Sequence, residues 1–551
     1  MNLFSLDHRS RLRRAAPGLL LALVALYLLL RNIGVHPVVF SDEWQYSKMA
    51  RLQPLAEAIV PSYLYLWLFG ASNACGDAFL ECVRVGNIGL YLAATPFLYL
   101  TARRFTGRHW AAVIALLSTL APMNVATLFF MPEATYYVGF CVLSWIVLAW
   151  TQRPLWQGAA AAGAVLGALS LVKVHALFLL PSLCLYLLYA GWHAATPGAR
   201  WLARALSAAV LAPALAIGVK FALGVMLASD AGLSLLGPFY ASSAGGGGDP
   251  AVRMAATLAS ARGHLMALAV LLALPLAMLL HGLCSDALRR RGARANPLLV
   301  YVLLMLGAGA GMAVVYTGTI AHLGQHDALR LHLRYYSFTF PLLWIVAAAL
   351  RDEPARLPWL RPCIAAALAL LLVLALFDLP GYVLNMVDGP DIAAVRPGHA
   401  TGYLVVALQL GLLVLWTARR QNAARLFLLA VLPLTLVLGQ GASVLFAAYY
   451  RLDKVGDRAG MLARQVVPLA ERGRITVAGA DPLQLLRAQF HIDHPDSRAL
   501  TLDAAATIEA SRLAPDQAWL LVIGDQPLAP NLEVVRREPG VVLARRPAPL
   551  R

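Results

Sequence analysis

Runs of mainly apolar residues divide the first 450 positions of this chain, separated by polar connections most of which are short. Thirteen such runs lie at about 15–34, 83–101, 110–130, 136–151, 157–172, 174–191, 205–228, 264–284, 297–319, 335–350, 361–379, 401–417 and 426–446. A hydrocarbon core of ~30 Å needs ~20 mainly apolar residues per crossing helix, with a tolerance of several. The pattern therefore predicts a polytopic α-helical membrane protein of about 13 spans, some of them short.

Basic connections follow every second run: Arg103, Arg104 and Arg108; Arg153; Arg200 and Arg204; Arg289, Arg290, Arg291 and Arg294; Arg351 and Arg356; Arg419, Arg420 and Arg425. Short loops rich in arginine stay in the cytoplasm. The alternation thus predicts a cytoplasmic N-terminus, and an odd number of spans puts the C-terminus on the opposite face. Arg9, Arg11, Arg13 and Arg14 before the first run outline a signal peptide, but no A-x-A cleavage site follows, so the run is read as a retained first span.

Beyond Tyr450 the pattern changes. ITVAG, RALTL and WLLVIGD read as strands and DPLQLLRAQF as a helix between them, predicting a soluble α/β domain over 451–551 after a membrane domain over 1–450. It carries no glycine-rich phosphate fingerprint.

Composition agrees, with 60% hydrophobic and only 13% charged residues in 551. The net charge of +17 could point to nucleic acid. Its distribution as small clusters between apolar runs is instead what membrane topology produces, so a nucleic-acid partner is excluded. The six cysteines show no metal-ligand spacing, though Cys75 and Cys82 both fall on the non-cytoplasmic side, where a disulfide can persist.

The chemistry-bearing residues gather on that same side. Asp42 and Glu43 follow the first run and open an outer loop over about 35–82. Within it Trp44, Tyr46, Met49, Leu52, Leu55 and Ile59 recur at helical spacing, which predicts an amphipathic helix lying on the membrane surface. Glu133 follows Pro132 in a second loop. Lys173 and His175 interrupt an otherwise apolar stretch, and ionisable groups near membrane depth are functional suspects. Lys220, within a run, reads as a snorkelling lysine. A loop over about 229–263, with Gly245 to Gly248 and Asp249-Pro250, suits a mobile cover. Last comes HLGQHDALRLHLRYY, in which Arg330 and Arg334 stand where topology disfavours arginine and Tyr335 and Tyr336 follow.

Each feature has an ordinary explanation: solvated acids, snorkelling lysine, interfacial anchors. Their collection on one face favours a site in which cations hold a lipid phosphate and a carboxylate activates an acceptor.

At these residues the sequence resembles the GT-C membrane glycosyltransferases, in particular the branch of the protein O-mannosyltransferases and the bacterial lipid A aminoarabinose transferases. SDEWQY resembles the acidic motif of the first outer loop, PSYLYLWLFG the aromatic segment after the amphipathic helix, and VRVGNIGLYLAATPFLYLTARRFTG the second span with its basic turn. MPEATYY resembles the second acidic motif, LVKVHALFLLP the lysine motif between two short spans, and LRYYSFTFP the arginine-tyrosine motif opening a late span. Val60-Pro61-Ser62 departs from the Pro-Pro or His-Pro usual before the aromatic segment.

The resemblance implies an inverting glycosyltransferase that moves a sugar from a polyprenyl-phosphate donor to an acceptor on a glycolipid, glycan or protein. Asp42 would be the general base, with Glu43 and Glu133 orienting the acceptor or sharing a divalent metal ion. Lys173 and Arg334 would bind the donor phosphate, assisted by His175, Arg330 and Tyr335. It also implies a multi-pass protein of the bacterial inner membrane with a periplasmic C-terminal domain. The competing readings are a lipid-linked oligosaccharide polymerase or ligase, which would carry a large late loop rich in arginine and histidine, and a glycolipid flippase or transporter, which would carry charges in mid-membrane helices.

Overall fold

The computed structural model describes residues 3–38, 40–150, 152–194, 200–244, 249–352, 357–419, 422–503, 508–509 and 514–546. Gly245 to Gly248, expected to form a mobile cover, lie outside these residues, as do Arg356 and Arg420. Helix occupies each of the thirteen apolar runs. Eight helices among the described residues are long and apolar enough to cross a membrane, and a ninth crossing is Arg108–Thr119 together with Pro122–Leu128, if the bent pair is one span. Shorter apolar helices, Ala16–Asn32, Glu133–Ala149, Leu155–Ser170 and Ser337–Ala349, fill the other runs. The protein is thus a polytopic helical membrane protein, and several of the expected spans are shorter than a full crossing.

The bent pair turns by 46° at Leu120 and Ala121, where Pro122 cannot continue the helix. Such a break frees carbonyls that lipid cannot satisfy. Side chains from other helices take them up. Tyr91 donates to Ser118 O at 2.7 Å, Gln440 to Leu120 O at 2.9 Å and Arg31 to Asn124 O at 2.9 Å. Arg84 donates to Leu128 O at 3.0 Å and Asn87 to Phe129 O at 2.8 Å. Arg31, Arg84 and Asn87, polar residues in or beside apolar runs, thereby fix the irregular segment that delivers Met131 to Glu133.

Small residues set a second helix pair. A Cβ added at Gly163 would stand 2.3 Å from Ala212 O, and one at Gly167 2.4 Å from Ala216 O, so Leu155–Ser170 and Trp201–Ala228 pack backbone to backbone. The first of these helices ends three residues before Lys173. Lys220 on the second helix is wholly buried and donates to Ser234 O at 2.9 Å rather than reaching for water.

Five strands build the C-terminal sheet: β1 (Ile475–Gly479), β2 (Arg498–Thr501), β3 (Trp519–Ile523), β4 (Glu533–Glu538) and β5 (Val541–Arg545), in the order β2-β1-β3-β5-β4. β1 runs parallel to β2 and β3, while β5 is antiparallel to β3 and β4. Every residue of β1 and β3 is buried, as expected for central strands covered on both faces. Helix Pro482–Ile492 joins β1 towards β2.

That helix changes the reading of the first outer loop. The amphipathic stripe forms a helix only over Phe40–Arg51, which Pro54 follows, and its apolar side meets protein instead of lipid. Trp44 is 3% exposed and packs edge to face on Phe490, while Arg51 pairs with Asp493 at 2.6 Å. Cys75 and Cys82, further along the loop, are joined as a disulfide.

Candidate active site

Asp42 lies in the first turn of helix Phe40–Arg51. Residues three, four and seven positions on share its face, and Asp42, Gln45, Tyr46 and Met49 line one side of a cavity of about 830 Å³, counted with the solvent it opens to. Glu133, Lys173, Tyr240, Tyr316, Arg334 and Tyr335 line the rest of it with their neighbours. A second, apolar and narrow chamber adjoins it, walled by Met123, Val125, Phe129, Phe338, Val387 and Pro390 among others. Met131, Glu133, Lys173, Arg334 and Tyr335 border both, so the charged residues stand where the chambers meet.

Lys173 precedes the short helix Val174–Leu179 in extended backbone, and its ammonium donates to Glu133 Oε1 at 2.7 Å. The same ammonium sits 4.7 Å from the centre of the Tyr335 ring, on which His175 stacks at 4.7 Å. Tyr335 is therefore a platform that positions two basic side chains. Arg334 Nη2 lies 3.5 Å from Asp42 Oδ2, closing the ring of charge around the cavity.

Among the described residues, five buried polar atoms of the residues lining the two chambers have no hydrogen-bond partner: Glu133 Oε2, His175 Nδ1, Arg334 Nε and Nη1, and Ser337 Oγ. Buried polar groups are nearly always satisfied. Their concentration around the two adjoining chambers marks a place that a polar ligand completes.

Asp388 holds the arginine loop in place. Wholly buried, it accepts from Arg330 Nε and from Asn385 at 2.7 Å, faces Arg334 Nε at 3.2 Å and His332 Nδ1 at 3.3 Å, and its carbonyl accepts from Arg334 N at 2.6 Å. Burial alone would raise this carboxyl, but Arg334, His332 and Arg330 hold it well below the usual carboxylate range. Burial lowers His332 despite its hydrogen bond to Asp388. At nearby Asp391 burial outweighs a backbone hydrogen bond and pushes the carboxyl up to about 7.

The structure thus brings Asp42, Glu133, Lys173, Arg334 and Tyr335 to one cavity, with His175 on the apolar chamber. Glu43 and Arg330 sit elsewhere. Glu43 is fully buried, accepting from Val38 N at 2.6 Å and Phe130 N at 3.0 Å, so it ties the start of the Asp42 helix to the irregular segment. Arg330 braces Asp388. Asp42 and Glu133 are the carboxylates on the cavity wall that could take a metal ion. Sequence reasoning missed Asp388, whose signal is weak: one acid in the VDGPD turn of a loop with no other distinguishing feature.

No protein-family model matches this chain, and no curated protein matches it by sequence. Its structure is similar to the crystal structure of ArnT from Cupriavidus metallidurans bound to undecaprenyl phosphate, with a TM-score of 0.52 and 16% identity over 97% of this chain and 99% of that one. The apo state of the same protein gives a TM-score of 0.50 and 16% identity over 96% and 98%. The likeness is one of fold, and it extends over nearly the whole of both chains.

Proposed function

We propose that this protein is an inverting glycosyltransferase that moves a sugar from a polyprenyl-phosphate donor to an acceptor hydroxyl or phosphate at the extracytoplasmic membrane face. The observation that carries this reading is the arrangement of Asp42 against Lys173 and Arg334 around one cavity, with the buried Nη1 of Arg334 lacking a hydrogen-bond partner. The lipid phosphate in the similar ArnT structure supports the donor class.

In this mechanism the donor phosphate lies at the junction of the chambers, between Lys173 and Arg334, with the first prenyl units in the apolar chamber and the sugar in the polar one. Asp42 takes the proton of the acceptor as its oxygen attacks the anomeric carbon. The bond from that carbon to the phosphate oxygen breaks with inversion, and the leaving polyprenyl phosphate keeps the electron pair. Lys173 and Arg334 stabilise the charge gathering on the leaving group, a large catalytic term in a site poor in water. Glu133 fixes the Lys173 ammonium, and Tyr335 sets its direction. Glu43 acts through backbone amides, holding the helix that presents Asp42. The C-terminal domain sits on the same, periplasmic, side of a bacterial inner membrane.

Asp42→Asn tests the assignment in membranes supplied with a polyprenyl-phosphate sugar. Lost transfer with unchanged expression and thermal stability is the expected result. Normal turnover would remove Asp42 from the reaction.

A further inference from the structure

We propose that His36, Asp457 and His491 form a binding site for a divalent metal ion, of which zinc is the best fit, that fastens the C-terminal domain to the segment leading into the Asp42 helix. These residues lie outside the cavity and take no part in the reaction described above.

One ring nitrogen from each histidine and a carboxylate oxygen of Asp457 lie within 4.8 Å of one another. In a tetrahedral zinc site, ligand atoms ~2.0–2.2 Å from the ion are ~3.4 Å apart, so the donors close in by at most ~1.4 Å when an ion enters. The donors are those zinc prefers, two imidazoles and a carboxylate. A further carboxylate, Asp453 Oδ1, is 2.6 Å from His36 Nε2, where it orients the ring.

The fold brings these groups together by specific means. His36 stands in the short connection after the first helix, and its amide donates to Tyr450 O at 2.8 Å. Asp457 is in the first turn of helix Val455–Val466, and His491 in the last turn of Pro482–Ile492. Those helices touch through glycine: a Cβ at Gly460 would stand 2.5 Å from Ala488 O and 2.7 Å from His491 Cβ.

The carboxylate is also oriented beforehand. Asp457 Oδ2 accepts from Lys454 N at 2.9 Å and Arg487 Nη1 at 3.0 Å, which turns Oδ1 towards His491 Nε2 at 2.9 Å. With neutral imidazoles, the two aspartates outweigh Arg487 and leave a net negative charge for a dication. Asp453 is about half exposed and the histidines partly so, which opens a path for the ion. An entering metal replaces the proton between His491 and Asp457 and releases it to water.

The test uses the full chain, purified in detergent without a polyhistidine tag, stripped with EDTA and titrated with Co2+ and then Zn2+. The expected result is about one Co2+ per chain with the intense visible absorption of a tetrahedral site, displaced by about one Zn2+. His36→Gln and His491→Gln should each weaken binding at least ~100-fold. Wild-type protein that takes up no stoichiometric metal overturns the proposal, as does unchanged uptake in both variants. Because absorbance reports binding and not sugar transfer, either proposal can fail while the other stands.

Discussion

Lys173 and Glu133 meet at 2.7 Å across forty positions of sequence, and each side chain is less than a tenth exposed. In so buried a pair, removing one partner strands the other charge at a cost of ~3–5 kcal/mol. Glu133→Ala and Lys173→Ala should each lower the thermal unfolding midpoint of the detergent-purified protein. Glu133→Gln combined with Lys173→Met should recover most of that loss without recovering sugar transfer. Single variants as stable as the parent would show that the pair is not buried as described.

Arg334 offers a test of geometry against charge. Its fork reaches Asp42 and Asp388 at once and leaves Nη1 buried without a hydrogen-bond partner. Lysine keeps the charge and loses the fork. Arg334→Lys should reduce kcat/KM for a polyprenyl-phosphate donor by ~100-fold, the scale of one lost transition-state contact. A change of less than about threefold would argue against a contact with the leaving group.

Asp388 should leave a mark on acid stability. A carboxyl held below its unfolded value near ~3.9 contributes stability that is complete above that pH and is lost as pH falls through the folded value. The wild type should therefore lose stability on acidification below about pH 4 more steeply than Asp388→Asn. The variant should be the less stable of the two at pH 7. Parallel curves of unfolding midpoint against pH would contradict this.

Asp391 predicts the opposite slope. With its folded value raised to about 7, the native state holds a proton that the unfolded chain releases near ~3.9. Its contribution falls as pH rises from about 4 to about 7 and is level above that. Asp391→Asn should remove this slope and be the more stable protein at pH 8, by up to ~4 kcal/mol. Unfolding midpoints at pH 5.5 and pH 8 decide it: a stability difference between variant and parent that is the same at both would place Asp391 in water.

Much of the fold can be read from the chain, because period and polarity act locally. The apolar runs mark the helices, and the short motifs mark Asp42, Glu133, Lys173 and Arg334. Other features depend on tertiary partners. Glu43 stands beside Asp42 on the same helix turn, and only the fold reveals that one carboxylate faces the cavity and the other the backbone of Val38 and Phe130. The stripe of Trp44 and Met49 fits a lipid surface equally well until Phe490 and the cavity cover it. Arg84 and Asn87 look like faults in an apolar run until the broken helix beside them exposes carbonyls to satisfy.

The attachment of Arg51 to Asp493 carries a consequence for any shortened form of the protein. Asp42 and Arg51 belong to the same helix, so the tail grips the far end of the lever whose near end bears Asp42. A chain cut after Tyr450 would keep its bilayer-inserted body, yet the lever would lose its fulcrum and uncover Trp44. Such a fragment should still bind the lipid carrier while turning over slowly, with the loss in kcat and little change in KM.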